Sequence, residues 1–510
     1  MKVAEALIRV LEKVGIDVVF GIPGKWINPL YVALSESKIK HVLMRHEQAA
    51  SHAADGYARV SGKPGVCFAT AGPGALGLVL GVATAYKDHI PLLAVTGQIP
   101  LKLKGRRVAE EFDLVKIFKH ITKMSIEIAE PLKAYEQMIT ALHATISGCP
   151  APVHISIPED VQLRRTKAKD IYLKNYSVPA RPEIIELVSK MISDSEKPLI
   201  LAGQGVIFSM AERELYNFAK KVKIPIATTL MARGVISEDD PLNVGFVGYY
   251  GNIEANKALI ESDLVLALGC SLSYNTTFHI SPKEKTIIQV DIDEHNFNKQ
   301  YATITIKSDV KQFLIEIIKK VKPKSKLWVK GRKQKRYKVE ANKGLKIAKT
   351  LNDMFYKNTI FVLDVGQYTS WFISAIKAYK PRTIIFPGNM ATLGYSLPAS
   401  IGAKFAKPYL NVVAIMGDGA FYASSTELGV LKQFRLPILV VVYNDGYYGS
   451  VKKFQERTFK KSFGVYLGKF SCAKVAEAYG IEAHVIRNYS ELKELNITKV
   501  DEPIVVEITS

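Results

Sequence analysis

Short apolar runs alternate with stretches of helical periodicity along the whole chain, the pattern of α/β domains whose parallel strands are buried on both faces. Three blocks emerge. The first has strand candidates at 18–20, 42–44, 65–70, 92–96 and 153–157 and ends near the charged run 164–169. The second begins near Pro182, with strands at 199–202, 226–228, 264–268 and 287–291. A third follows a Lys-rich stretch, with strands at 360–364, 383–386, 412–416, 438–443 and 504–508. The pattern predicts an α/β protein of three domains, 1–170, 181–320 and 340–510, each a parallel sheet flanked by helices.

Composition changes this picture little. A chain of 510 residues is long enough for three or four ordinary domains. No apolar run approaches the ~18 to 20 residues of a membrane span, and residues 1–20 mix charges into a helical pattern unlike a signal peptide, so a cytoplasmic protein with no membrane partner is expected. Cys67, Cys149, Cys270 and Cys472 are scattered without close pairs, which argues for buried thiols rather than a disulfide framework or a zinc site. The net charge of +21 raises the question of nucleic acid, but the densest basic stretch, 319–338, lacks spaced aromatic platforms and reads as an interdomain linker. No nucleic-acid partner is expected.

Candidate chemistry concentrates in the third block. The apolar strand 412–416 runs into Gly417-Asp418-Gly419, a helix follows from about Ser424, and the strand 438–443 runs into Asn444-Asp445-Gly446. A βαβ unit brings both loops to one carboxyl edge, where open α/β sheets bind ligands. Two carboxylates and a backbone carbonyl are hard oxygens suited to Mg²⁺, which leaves positions for phosphate oxygens and water. Asp418, Asp445 and the carbonyl of Tyr447 are the candidate ligands.

Gly-Asp-Gly, a helix, a strand and an Asn-rich turn closely resemble the signature of the thiamine-diphosphate enzyme family. Its second ligand is usually Asn where this chain has Asp445. Asp364-Val365-Gly366-Gln367-Tyr368 is similar to the family's diphosphate-contacting segment, with Tyr368 where the acetolactate synthase branch has His. The segment from Gly388 to Pro398 resembles the one that wedges the cofactor between its rings, with Leu393 as the bulky support beside Ala391. The resemblance further implies cofactor contacts from Gly366, Gln367, Gly417, Gly419, Ala420, Tyr447, Tyr448 and Gly449.

In the first block, Glu47 opens a helix with an apolar face of Ala50, Ala53, Ala54, Tyr57 and Ala58; alone it would be a first-turn acid complementing the helix dipole. The run Arg45 to Arg59 nevertheless matches the family's glutamate helix almost residue for residue, and the catalytic glutamate falls on Glu47. Such a carboxyl bonds the aminopyrimidine and favours the tautomer that takes the thiazolium C2 proton. The Gly72-Pro73-Gly74 turn continues the resemblance; His89 is read as structural rather than catalytic. In the family the glutamate and the metal loop reach one cofactor from different subunits, which implies a homodimer or homotetramer.

The resemblance covers nearly the whole chain and is nearest to the acetolactate synthase large subunit. It implies decarboxylation of a 2-oxo acid and joining of the remainder to a second one. Substrate-recognition positions depart, however: Ala109-Glu110, Glu159, Asn275 and Phe454 replace Phe-Gln, Lys, Arg and Trp. Asn cannot grip a carboxylate as a guanidinium does, so a non-ligating decarboxylase or lyase, with His279 as candidate proton donor, stays as the alternative. Ala202-Gly203-Gln204-Gly205 fits a Rossmann-like middle domain with an incomplete glycine pattern, FAD is a candidate second cofactor, and a regulatory subunit is a candidate partner.

Overall fold

The computed structural model describes residues 1–168, 178–281, 284–329, 343–355, 357–468, 470–495, 497 and 499–509. Three six-stranded sheets carry the chain. The first, in the order β2-β1-β3-β4-β6-β5, is made of β1 (Val18–Gly21), β2 (Lys40–Leu43), β3 (Gly65–Ala69), β4 (Leu92–Gln98), β5 (Met124–Glu127) and β6 (Val153–Pro158), all paired in parallel. The second contains β7 (Pro198–Ala202), β8 (Ile226–Thr228), β9 (Asn243–Phe246), β10 (Leu264–Leu268), β11 (Thr286–Asp291) and β12 (Ile304–Lys307) in the order β12-β11-β10-β7-β8-β9. The third contains β13 (Thr359–Leu363), β14 (Ile384–Ile385), β15 (Asn411–Gly417), β16 (Ile438–Asn444), β17 (Glu482–Ile486) and β18 (Ile504–Thr509) in the order β14-β13-β15-β16-β18-β17.

Every central strand coincides with a predicted apolar run. The four strands the pattern misses, β5, β9, β12 and β17, all lie at sheet edges. Three of them face solvent in part, and β9, Asn-Val-Gly-Phe, is buried but breaks its apolar run with Asn243 and Gly245. An edge strand pairs on one side only and needs no continuous apolar sequence.

By compactness the chain forms two units. One is Met1–Lys174, Asn358–Thr369 and Ile385–Ser510; the other is Asn175–Lys357 and Ser370–Ile384. The block expected at 340–510 is therefore shared between them. Within the second unit the segment 370–384 is held by chemistry. The buried Arg233 guanidinium bonds Glu238 at 2.6 Å and the carbonyls of Ile373 and Ile376 at 2.8 and 2.5 Å. Part of the basic stretch is folded as well: the Lys324 ammonium donates to the carbonyls of Ser193 and Ser195, and the Trp328 indole donates to that of Pro198. Residues 330–338 of that stretch lie outside the described residues.

Within the first unit, the helix Glu47–Ser61 lies against the helix Ser396–Ala406. Its alanines make a thin helix, His46 caps its start, and Gly62, at φ 76°, ends it in the left-handed conformation. The two backbones nearly touch. A β-carbon on Gly56 would lie 2.2 Å from the carbonyl oxygen of Ala399, and one on Gly402 would lie 1.8 Å from that of Ala53. Among the described residues no helix is long and apolar enough to cross a membrane.

Candidate active site

In the third sheet the chain turns one way from β13 to β14 and the other way from β15 to β16, so the loops after β13 and β15 flank a topological switch point. The loop after β13 is organised by Asp364. Its buried carboxylate accepts the N–H groups of Val365, Gly394 and Ser396 at 2.8, 3.0 and 2.7 Å. Burial pushes this carboxyl up to about 6, against the pull of those donors. Asp364 thereby ties the segment ending at Ser396 to the sheet edge. Tyr368 is turned inward: its hydroxyl donates to the Val365 carbonyl, and its ring fills the space beside Gly366 and Gly417. Gln367 opens the next helix.

Asp418 is the first residue of the helix Asp418–Ser424, so the helix starts at the motif itself, six residues before the position expected from sequence. Gly417 pairs with Tyr443 in register, which sets Asp418 level with Asn444 at the same edge. Asp418 then ties the two loops together, accepting the N–H of Gly419 at 2.9 Å and that of Gly446 at 2.7 Å. Burial, and then the charge of Asp445, push its carboxyl up to about 6. Asp445 accepts the Tyr447 N–H at 3.1 Å, and burial raises its carboxyl too. A β-carbon on Gly449 would stand 2.9 Å from Asp445 Oδ2 and 3.6 Å from Gln367 Oε1, so these three line one space. Gly419 leaves room for the Tyr448 ring, and Ala420 is buried beneath.

Among the described residues neither aspartate is in an ion pair, and no group of three or more His, Cys, Asp or Glu side chains is gathered as a metal site. Two mutually repelling carboxylates at a glycine-lined edge fit a hard divalent cation that takes its other ligands from a backbone carbonyl and phosphate oxygens.

Glu47 sits at the start of its helix with His46 as cap, whose Nδ1 accepts the Gln48 N–H. Its side chain runs along the short helix Pro73–Gly77 that follows β3. A β-carbon on Gly77 would be 2.9 Å from Glu47 Cβ, and one on Gly74 would be 3.3 Å from Oε1. The glycines of this helix make the seat for Glu47. Opposite, the segment 387–395 is anchored repeatedly. The Asn389 N–H and amide donate to Asp88 Oδ1 at 2.9 Å, the Thr392 and Thr84 hydroxyls meet at 2.7 Å, and the Tyr395 hydroxyl donates to Asp55 at 2.5 Å. Arg59 lies at the centre, pairing with Asp55 at 2.6 Å and Asp88 at 2.8 Å and donating to the Phe386 carbonyl. Within this braced segment Ala391 adopts φ 53°, and Leu393 stays half-buried instead of joining the core. Backbone strain in a region held from several sides is a mark of functional segments.

Residues 1–117 match the thiamine pyrophosphate enzyme N-terminal TPP binding domain, 185–317 the central domain and 364–508 the C-terminal TPP binding domain. The chain belongs to the thiamine pyrophosphate enzyme family. It is 38% identical to the probable acetolactate synthase large subunit of Methanocaldococcus jannaschii, covering 97% of this chain and 89% of the relative. It is 33% identical to the acetolactate synthase large subunit of Lactococcus lactis, covering 99% and 92%, and 35% identical to that of Corynebacterium glutamicum, covering 89% and 76%. It is thus a thiamine-diphosphate-dependent enzyme with three domains of parallel sheet and helix.

The other candidate residues of this thiamine pyrophosphate enzyme belong to separate segments of the chain. Glu110, at φ 68°, has its Cα 2.9 Å from where a β-carbon of Gly72 would be, and its Oε2 is buried without a partner. Ala109 beside it is exposed, and Glu159 opens the short helix Glu159–Gln162. Asn275 and His279 belong to the other compact unit; the carbonyl of Asn275 accepts the Tyr249 N–H. Phe454 is exposed. His89 is strained, at φ 56°, and its Nδ1 lies 3.2 Å from the Cys149 sulfur. Cys149 is thus only half-buried, unlike the three other cysteines, because it follows the surface turn at Gly148.

Asp55, Arg59, Asp88 and Glu427 take their roles from these tertiary contacts and not from any motif in the sequence. The available signal was charge inside otherwise apolar helical stretches, which demands a partner once buried.

Proposed function

We propose that this enzyme decarboxylates a 2-oxo acid and joins the remaining unit to a second 2-oxo acid, in the manner of an acetolactate synthase. The observation that carries the reading is the crevice at the β13/β15 switch point, where Asp418 ties its own loop to the Asp445 loop beside Gln367 and a row of glycines. The relatives' names select ligation over simple aldehyde release.

Bound thiamine diphosphate supplies a carbon nucleophile and an electron sink. The protein supplies placement. Asp418, Asp445 and the Tyr447 carbonyl would hold Mg²⁺, with Gly366, Gln367, Gly417, Gly419, Ala420, Tyr448 and Gly449 around the diphosphate. Tyr368 would brace that loop from beneath, and Leu393 would support the bend between the rings. Glu47 would hydrogen-bond the pyrimidine and set its protonation.

A second copy of the chain completes the site in this reading. Support comes from the helix Gly449–Phe459 beside the metal loop, which buries none of its residues; Phe454, Phe459, Phe463, Tyr466 and Phe470 are each at least 60% exposed. So large an apolar surface marks an interface. The relatives' designation as large subunits supports a smaller partner chain as well. FAD gains no such support. The glycines at the switch point of the second sheet are consumed by chain crossing, with a β-carbon on Gly203 only 2.1 Å from the Gly269 carbonyl oxygen. Flavin absorbance of the purified protein tests that point.

Purified protein with pyruvate, Mg²⁺ and thiamine diphosphate is expected to yield acetolactate. Acetaldehyde as the sole product would overturn the ligation.

A further inference from the structure

Glu47 acts at a distance set by the turn that delivers it. Strand β2 ends at Leu43 and the helix begins at Glu47, so only Met44, Arg45 and His46 connect them. The N–H groups of such a turn have no partner in either element and must find one elsewhere.

They find Glu427. This residue closes the 3₁₀ turn Ser425–Glu427, just after the helix that starts with Asp418, and it is wholly buried. Both carboxylate oxygens accept the Arg45 N–H, at 3.1 and 3.3 Å, and the neighbouring His46 N–H favours the same negative charge. The Arg45 side chain is folded back over the same region. Its guanidinium donates to Gln433 Oε1 and to the Leu43 carbonyl, both at 2.8 Å, and it passes over Gly429, which leaves room for it. The segment that carries the candidate metal ligand Asp418 thus also grips, 382 positions away in sequence, the turn directly before Glu47 at Arg45.

We propose that Glu427 is a positioning residue for the cofactor chemistry: by clamping the turn at the Arg45 backbone it fixes the height and angle at which Glu47 meets the pyrimidine. A carboxylate does this better than an amide. It accepts at both oxygens, whereas one end of a glutamine carries only donors and would face the backbone N–H groups it should accept from. The inference rests on the reading of Glu47 given above.

Three full-length proteins test it, each loaded with thiamine diphosphate and Mg²⁺: wild type, Glu47→Gln and Glu427→Gln. The readouts are exchange of the C2 proton of the bound cofactor for deuterium by quenched-flow NMR, cofactor affinity by titration, and backbone amide exchange over residues 43–48. Displacement of a catalytic group by about an ångström costs on the order of a hundredfold. Glu427→Gln is therefore expected to slow C2 exchange by roughly ten- to a hundredfold, to leave cofactor affinity within about threefold, and to lose amide protection in 43–48. If Glu47→Gln is slow while Glu427→Gln exchanges within about twofold of wild type, the positioning role is wrong and the reading of Glu47 stands. If Glu47→Gln itself exchanges like wild type, both fall. Should Glu427→Gln fail to fold, Glu427→Asp, which keeps the charge but withdraws it by one methylene, carries the same expectation and the same refutation.

Discussion

Glu427 also makes a prediction about stability. Burial raises its carboxyl from the ordinary 4.5 to about 7, more than the Arg45 N–H, the Arg45 charge and the His46 N–H pull it down. Between those values the folded chain keeps a proton that the unfolded chain has lost, so stability falls as pH rises through this window and is fully present only below pH 4.5. Each pH unit across the window is worth ~1.4 kcal/mol, about 3 kcal/mol in all. Glu427→Gln removes this titration and nothing else that depends on pH. The stability of the variant relative to wild type should thus rise by about 3 kcal/mol between pH 4.5 and 7.5, whatever constant offset the lost ionic hydrogen bonds impose. Denaturation midpoints of both proteins, measured across that range in matched buffers, give the difference directly, because every other titrating group cancels. A difference that stays flat within about 1 kcal/mol would refute the reasoning, as would one that falls with pH. The expected result would mean that near neutral pH the fold tolerates a destabilising carboxylate whose only visible work is on the turn before Glu47.

Arg59→Met leaves Asp55 and Asp88 buried without their cation and should destabilise the protein by about 3 to 5 kcal/mol in chemical denaturation, with a loss under about 1 kcal/mol counting against the network. Gly402→Ala forces a methyl group onto the Ala53 carbonyl oxygen and should cost at least ~1 to 3 kcal/mol, visible as a lowered melting temperature. Asp418→Asn keeps an oxygen but removes the charge, so the Mg²⁺ concentration that half-saturates cofactor binding should rise on the order of tenfold, ~1.4 kcal/mol; an unchanged value would remove Asp418 from the ligand set. Iodoacetamide should label Cys149 well before the others under native conditions, since burial keeps Cys67, Cys270 and Cys472 covered and pushes their thiols up, Cys270 to about 12; mass spectrometry of the first labelled peptide decides it.

Much of this protein was legible from its residue order. The central strands of all three sheets, the helix that begins at Glu47 and the glycine-flanked Asp418 and Asp445 loops are local features, each determined by a continuous apolar run or a turn-forming sequence. Periodicity and spacing report such features directly. What escaped depends on partners far along the chain. Strands β5, β9, β12 and β17 exist because a neighbouring strand offers one free edge, and their own residues only have to comply. Tyr368 turns its hydroxyl inward because Gly417, at the far end of β15, leaves space for its ring. Arg59, Asp88 and Glu427 look like ordinary helix or turn charges until folding removes them from water; each must then be paired across tens or hundreds of residues, and that pairing braces the cofactor segment and the glutamate turn. Residue order by itself determined which groups could do the chemistry. Tertiary structure alone decided which charges became buried, and so which of them hold those groups in place.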